Sequence, residues 1–233
     1  MADALLKGFT QQQNPSISGD GQYNVVRATR DGCIFTADWK VNLIMRGLAY
    51  NVTVGGISAG ADIALITGGG AGTVINTDRP ELFVQTPATH YHIPLSCKAA
   101  TQTDMGNADA DETSIILFAD TSPAAIIATA TATGETPHPL LDGGAASIST
   151  CFSAVTGDIT DPTADLVLDF STAQAAQVSA ASSVIHSLKL DYNPTFPTFL
   201  KGPVAVVGCW GGTNAATGLM TYCWAEVPIS QLA

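Results

Sequence analysis

The sequence contains 233 residues, of which 46% are hydrophobic and only 12% are Asp, Glu, Lys or Arg. Because a soluble domain usually carries about 25% charged residues, we expect much of this surface to face other protein or to consist of Ser, Thr, Asn and Gln. The net charge is −11, and no Lys or Arg occurs between Lys98 and Lys189. The lack of a basic cluster argues against direct binding to nucleic acid.

No apolar run approaches the roughly 20 residues that a membrane-spanning helix needs. The opening residues combine neither a basic segment nor a long apolar one, so we expect no secretory signal peptide. The five cysteines are scattered and form no C-x-x-C pair. This arrangement favours buried free thiols over a disulfide framework or a zinc site.

The first half of the chain predicts an arm followed by strands. Residues 1–24 contain Gln-rich and Gly-Asp-Gly segments and are expected to form a loosely ordered N-terminal arm. Residues 33–50 alternate only in part and predict two strands divided near Arg46-Gly47. Residues 48–54 alternate well, and residues 81–97 predict one continuous strand.

The second half adds further strands and one helix candidate. Residues 114–119 and 166–170 are short apolar runs typical of buried strands. Residues 171–182 favour a helix because Ala and Gln are good helix formers, although an exposed polar connection fits nearly as well.

The last third predicts a strand, a proline-rich excursion and two more strands. The prolines at 194 and 197 remove two backbone donors and exclude both a helix and a central strand. Residues 204–210 form an apolar run, and residues 219–227 alternate, with Met220, Tyr222, Trp224 and Glu226 on one face. The whole pattern, about eight to eleven short strands with one or two short helices, predicts an all-β sandwich or barrel.

Two polar clusters are candidate metal sites. His90 and His92 lie two apart and would point the same way on a strand, as a metal-binding pair does when a third ligand is present. Asp109, Asp111 and Glu112 form an acidic stretch that could supply oxygen ligands to calcium, but its spacing differs from that of the helix-loop-helix calcium motif. Histidines on a polar strand face and a solvated acidic loop are the favoured interpretations, and no cofactor is predicted.

The sequence contains no recognisable catalytic motif. Residues 67–73 are rich in glycine, but no Lys follows them as a phosphate-binding loop requires. No H-E-x-x-H or S-x-x-K pattern occurs in the sequence, and the single G-x-S-x-G match, at residues 56–60, is not interpreted as a nucleophile elbow. We therefore expect a protein that is not an enzyme.

The C-terminal third resembles the jelly-roll coat proteins of icosahedral viruses. Three features carry this resemblance: the Pro-rich excursion after Tyr192, the apolar strand at 204–210, and the closing strand at 219–227. Residues 81–94 also look like a coat-protein strand. The resemblance implies a jelly-roll domain over residues 25–233, with long loops and room for a loop-rich insertion at about 99–170.

The implied function is self-assembly into a capsid shell within a virion, after synthesis in the host cytoplasm. Small RNA-virus coats commonly carry a basic N-terminal arm, which is missing from this sequence. That difference favours the tailless, membrane-containing type, in which the shell overlies an internal membrane. The implied partners are copies of the same chain and, in some shells, a second coat protein.

Large apolar side chains in flat or loop positions are predicted to form the subunit interface: Tyr192, Phe196, Phe199, Trp210 and Trp224. Packing in the core is the alternative, above all for the two tryptophans. A different function stays open as well. A carbohydrate- or receptor-binding β-sandwich of a phage tail or fibre would share the strand pattern, but it would use its exposed aromatics to bind a ligand.

Overall fold

The structure is a computed structural model that describes residues 38–57, 63–64, 66–67, 70–71, 75–101, 112–123, 132–153, 155, 159, 162–174, 188–212 and 217–231. In chain order the elements are α1 (Trp39–Met45), β1 (Ala49–Val54), β2 (Gly56–Ile57), β3 (Ile63–Ala64), β4 (Ile66–Thr67), β5 (Gly70–Ala71), β6 (Leu82–Thr86), β7 (His90–Thr101), β8 (Glu112–Asp120), β9 (Thr133–Glu135), β10 (His138–Pro139), β11 (Thr150–Ser153), β12 (Leu166–Gln174), β13 (Lys189–Tyr192), β14 (Leu200–Lys201), β15 (Val204–Gly212), β16 (Thr217–Pro228) and a 3₁₀ turn at Ile229–Gln231. The predicted N-terminal arm lies outside the described residues.

Two mainly antiparallel sheets carry most of these strands, so the predicted all-β class is confirmed. The first sheet has the order β10-β1-β16-β7-β13, with β14 beside β7 and β4 beside β16. The second has the order β12-β8-β15-β6-β11-β9, with β5 running parallel to β15. No helix within the described part of the chain is long and apolar enough to cross a membrane.

Eight of the strands pair as the two arms of one long hairpin would. We call β1, β6, β7, β8, β12, β13, β15 and β16 the principal strands. The first pairs with the eighth, the second with the seventh, the third with the sixth and the fourth with the fifth. All four pairs are antiparallel, and contacts of β16 with β7 and of β15 with β8 join them into the two sheets.

The main core lies between the sheets. The first sheet contributes Tyr50, Cys97, Met220, Tyr222 and Trp224, among others, and the second contributes residues such as Leu82, Ile115, Leu117, Val206 and Trp210. Alternate residues of each strand face this layer, as the period of a strand requires.

Each sheet also carries an apolar layer on its outer side. On the first sheet, Ile93, Leu95 and Val227 are covered by α1 and Leu140. On the second, Phe118 and Val207 pack with Ile75 and Ile159. Because both faces are covered, every residue from Val204 to Trp210 is buried, as in strands that are covered on two sides. The low charge content therefore has a partial explanation within the chain itself.

A β-bulge in β7 sets which of its residues face the core. Cys223 lies opposite Ser96 and Trp224 opposite Pro94, so Leu95 is an extra residue on β7. The bulge changes the alternation, and as a result both His92 and Cys97 contribute to the interior although five positions separate them.

The strand predicted in the first part of residues 33–50 is wrong where the structure describes it. Residues 39–45 form a helix, because the Asp38 side chain caps the amide of Lys40 at 3.0 Å. The helix packs Trp39, Leu43 and Ile44 against the outer layer of the first sheet. The predicted break at Arg46-Gly47 is confirmed: Gly47 has φ +68°, which ends the helix before β1 begins.

The continuous strand predicted for residues 81–97 is also wrong. The chain turns at Pro87, so that β6 belongs to the second sheet and β7 to the first. Proline supplies no amide hydrogen to a ladder, which favours a strand end at this position.

The structure confirms five of the predicted strands, with ends that differ by no more than two residues except at the end of β12: those at 48–54, 114–119, 166–170, 204–210 and 219–227. The helix candidate is wrong over its first four residues, because residues 171–174 continue β12; its remainder lies outside the described residues. Within the region suggested as an insertion, β8 lies between β12 and β15 in the second sheet. The described strands of that region are therefore integral to the sandwich.

Candidate functional site

The aromatic residues predicted for the interface fall into two groups. Trp210 and Trp224 are 1% and 0% exposed and lie in the core with Tyr192. Phe196 and Phe199 are 80% and 49% exposed. For the tryptophans and Tyr192 the structure therefore supports the core-packing alternative, and only the two phenylalanines remain candidates for an interface.

Phe196 and Phe199 lie on the connection between β13 and β15, residues 193–203, which we call the excursion. Its first part is held against α1: the Trp39 indole nitrogen donates to the Thr195 carbonyl at 3.2 Å, and the Lys40 ammonium donates to the Asn193 side chain. Its second part pairs with β7, where Leu200 lies opposite His92. The Phe199 ring meets Tyr91 edge-on, at 6.3 Å between centroids.

Gly202 locks the excursion onto the turn between β6 and β7. Its amide donates to the His90 carbonyl at 2.9 Å. A Cβ atom at this position would lie 2.1 Å from the Pro87 carbonyl oxygen, well inside van der Waals contact. Only glycine fits without moving the backbone, so the excursion presents Phe196 from an anchored support.

Helix α1 adds a second exposed apolar surface beside the excursion. Trp39, Leu43 and Ile44 face the sheet, whereas Val41 and Met45 are 43% and 47% exposed. Val41 and Met45 are four residues apart and therefore share one face of the helix. A short helix that is apolar on both sides is typical of one that is also covered from outside.

A chain of buried hydrogen bonds links the two sheets through His92. The imidazole Nδ1 lies 2.8 Å from the Thr86 hydroxyl, which is 2.7 Å from that of Ser149. The imidazole Nε2 lies 2.6 Å from the Tyr222 hydroxyl. Complete burial lowers the pKa of His92 to about 3, so the ring is neutral at pH 7.

This hydroxyl–imidazole arrangement resembles a nucleophile with its base, but its setting is that of a structural link. The side chains of Thr86, His92 and Tyr222 are all at 0% exposure, so no substrate reaches them in this fold. The His92, Tyr222 and Trp224 rings stack with centroids 5.6–6.0 Å apart. Both ring nitrogens of His92 are occupied, as buried polar atoms usually are.

Glu226 lies on the same face of β16 as Tyr222 and Trp224, and it holds the segment from Ser147 to Ser149 in place. Its carboxylate is 3% exposed and accepts from the Trp224 indole at 2.9 Å. It also accepts from the Ser147 hydroxyl and from the amides of Ile148 and Ser149, at 2.5, 3.0 and 3.2 Å. Four donors around one carboxylate compensate for its burial.

The candidate metal ligands are placed as follows. His90 bonds through Nδ1 to Thr89, at 2.9 Å, and His92 bonds to Thr86 and Tyr222 as above. Glu112 begins β8, while Asp109 and Asp111 lie outside the described residues. Among the residues that the structure describes, no group of three or more His, Cys, Asp or Glu could hold a metal ion.

The comparisons with known proteins add no family. No protein-family model, no curated protein and no solved structure matches the chain.

Sequence reasoning missed the helix surface and the links of His92 to the second sheet. The alternation of β16 did place Tyr222, Trp224 and Glu226 on one face, and that was the available signal for the stack. Nothing local indicated that His92 and Thr86 would meet, because they lie in different sheets.

Proposed function

We propose that this chain is the subunit of an icosahedral viral capsid and that its two sheets form a jelly roll. The pairing of the principal strands supports the fold: a jelly roll has eight strands in two packed sheets, and rolling one long hairpin produces the pairs first–eighth, second–seventh, third–sixth and fourth–fifth. The space between the sheets is filled by large side chains such as Trp210, Tyr222 and Trp224, which fits a rigid building block.

The observation that carries the assembly function is the exposure of Phe196 on an anchored connection. A phenylalanine at 80% exposure leaves most of an apolar ring in water, which is unfavourable by about 25 cal/mol for each Å² that a partner could cover. The excursion is tied to α1 and β7 at several points. It therefore offers a ready-shaped surface that loses little entropy on binding.

The partners proposed are further copies of the chain, joined by symmetric contacts into a closed shell. A second coat protein, an internal membrane beneath the shell and a location in the virion belong to the same proposal. They are supported only by the resemblance and by the charge pattern.

Negative-stain electron microscopy and light scattering of the purified full chain test this function. We expect closed shells or ring-shaped capsomers whose mass is a multiple of that of the chain. A monomer at every concentration that binds glycans on an array would overturn the proposal, and it would favour the carbohydrate-binding alternative.

A further inference from the structure

Two exposed apolar patches lie on different sides of the sandwich. The helix-side patch consists of Val41, Met45, Phe196 and Phe199. The strand-side patch consists of Val167 and Phe170 on β12, at 47% and 65% exposure. Patches of several large apolar side chains on a soluble fold commonly mark a contact with another molecule.

The strand-side patch extends the outer apolar layer of the second sheet. Val167 lies opposite Phe118, and Phe170 lies opposite Ile116; Phe118 and Ile116 both belong to the covered part of that layer. Strand β12 ends the order of the described second sheet. The outer apolar layer therefore extends to the edge strand of the second sheet, where Val167 and Phe170 are exposed to solvent.

The free edge of β12 is poorly suited to pairing with another strand. A register shift between Val167 and Asp169 interrupts its ladder, and the Asp169 carboxylate accepts from the amide of Phe170 at 2.9 Å. Bulges and occupied backbone groups block edge-to-edge pairing. A partner would therefore contact the side chains of this patch rather than its backbone.

The charged residues around the two patches differ in their balance of signs. On the helix side, Lys40 lies on α1, Arg46 at its C-terminal end and Lys201 on the excursion. Asp38 lies in the same region, where its side chain caps α1. Asp142 is exposed one residue after Leu141, which approaches the turn at Gly47, so the helix-side rim is not purely basic. The three cations nevertheless outnumber the exposed Asp142 there, in a chain that carries a net charge of −11.

The strand-side rim is acidic. Asp165 precedes β12, and hydrogen bonds from the Thr121 hydroxyl and amide, at 2.6 and 2.9 Å, lower the pKa of its carboxyl group. Asp169 lies on β12 itself, where its carboxylate accepts from the Phe170 amide. Lys189 and Asp191 are exposed on β13 of the other sheet, where Asp191 lies opposite Lys98, so neither belongs to this rim. Complementary rims of this kind select and orient partners.

The two patches cannot meet within one molecule. Helix α1 covers the outer side of the first sheet, whereas Val167 and Phe170 continue the outer side of the second. Packed sheets lie about 10 Å apart, and these two surfaces face away from each other. A contact between them needs a second copy of the chain and is heterologous, so it repeats from copy to copy into a ring, where the rotation closes, or into an open filament.

We propose that the helix-side patch of one copy docks onto the strand-side patch of the next copy. This inference rests on the proposed capsid function, because it names the surfaces through which the subunits join. Phe196 and Phe170 are its apolar centres, and Lys201 and Asp165 lie on its opposing rims.

Mixing two single variants tests the pairing of these surfaces. Phe196→Ser removes the centre of the helix-side patch, and Phe170→Ser removes that of the strand-side patch. Each variant alone should associate at least about tenfold more weakly than the native chain. An equimolar mixture should form one-to-one dimers in sedimentation velocity, since the intact patch of each variant meets the intact patch of the other and no further copy can add.

Both substitutions are at exposed positions, and thermal unfolding of each variant should match that of the native chain. If the native chain assembles and the mixture stays monomeric, the pairing is wrong while the capsid function stands. If either variant assembles as the native chain does, the pairing is equally wrong. If the native chain never assembles, the proposed function fails and the pairing with it.

A charge reversal provides a second test. Lys201→Glu and Asp165→Lys should each weaken assembly, and a mixture of the two variants should recover assemblies in which the two variants alternate, because every contact between unlike copies then pairs opposite charges. Flotation with phosphatidylserine vesicles tests a lipid partner instead. Vesicle binding that is lost in Phe196→Ser, together with a monomeric mixture, would identify the helix-side patch as a membrane site and would overturn the pairing of copies.

Discussion

Strand β16 and the excursion are the two most aromatic parts of the last third of the chain, and they use their rings in opposite ways. Tyr222 and Trp224 of β16 have no exposed surface, and their polar atoms bond to His92 and Glu226. Phe196 of the excursion is 80% exposed and has no polar atom to satisfy. Aromatic content alone therefore does not distinguish a residue that holds a fold together from one that joins two molecules.

Backbone context makes the distinction. On β16 the alternation of a paired strand directs every second side chain into the core. Its aromatic residues lie on that face and are therefore buried. On the excursion, Pro194, Pro197 and Pro203 supply no amide hydrogen for regular pairing, and the side chains point where the local turns direct them. The comparison predicts that substitutions in β16 act on folding and that substitutions of exposed excursion residues act on assembly.

The largest expected effect is that of Trp224→Ala. The substitution leaves a cavity between the sheets and removes the indole donor of Glu226, so the free energy of unfolding should fall by about 3–5 kcal/mol. Urea unfolding followed by circular dichroism measures this change. Trp224→Phe should fall between the native chain and Trp224→Ala. A loss below about 1 kcal/mol for Trp224→Ala would contradict the role assigned to β16.

The next effect tests whether the excursion is anchored. Gly202→Ala forces a Cβ atom against the Pro87 carbonyl and should lower the free energy of unfolding by about 1–3 kcal/mol. Gly134→Ala is the matched control, because a Cβ atom there has no neighbour within 4 Å. Equal unfolding curves for the two variants would show that the excursion is not held as described.

A pH effect sharpens the contrast between the buried network and the surface. Burial holds the pKa of His92 at about 3 in the folded chain, against about 6.5 in the unfolded chain. Between these two pKa values, His92 binds a proton in the unfolded state but not in the folded state. The free energy of unfolding should fall as the pH drops below about 6.5, by up to about 1.4 kcal/mol per pH unit.

The window from pH 6.5 to 5 isolates this contribution, because carboxylates titrate mainly at lower pH. His92→Phe should flatten the pH dependence there, although the variant is less stable overall. His90→Gln is the control and should keep the native slope. An unchanged slope in His92→Phe would mean that another group is responsible.

The smallest expected effect on folding is that of Phe196→Ser, which should change the free energy of unfolding by no more than about 0.5 kcal/mol. Ile148→Ser, at another exposed apolar residue outside both patches and their rims, should have an equally small effect on unfolding. The two variants should differ in self-association, which only Phe196→Ser should weaken. A large destabilisation by Phe196→Ser would place Phe196 in the fold and not in the interface.

The sequence allowed prediction of what depends on local alternation. The strands at 48–54, 204–210 and 219–227 and the shared face of Tyr222, Trp224 and Glu226 follow from period-two patterning and composition alone. Helix α1 was missed because Asp38 caps a seven-residue segment whose apolar residues also fit a strand. The division at Pro87 was missed because the sheet to which a strand belongs depends on partners far away in the chain.

The candidate site was predictable only in part for the same reason. The excursion was recognisable from its prolines and phenylalanines. The helix-side patch needs α1 beside the excursion, which depends on contacts between Trp39 and Thr195. The strand-side patch needs the outer layer of the second sheet, which three separate segments build. The burial of Trp210 was not predictable from local sequence either, because it depends on the packing of the two sheets against each other.

The central claim is that β16 builds the subunit and the exposed excursion joins subunits. The most direct test is sedimentation velocity of the native chain beside Phe196→Ser, at matched concentration and with both shown to be folded by circular dichroism. The account predicts large assemblies for the native chain and mainly monomers for the variant. Identical sedimentation of the two folded proteins, whether assembled or monomeric, would contradict it.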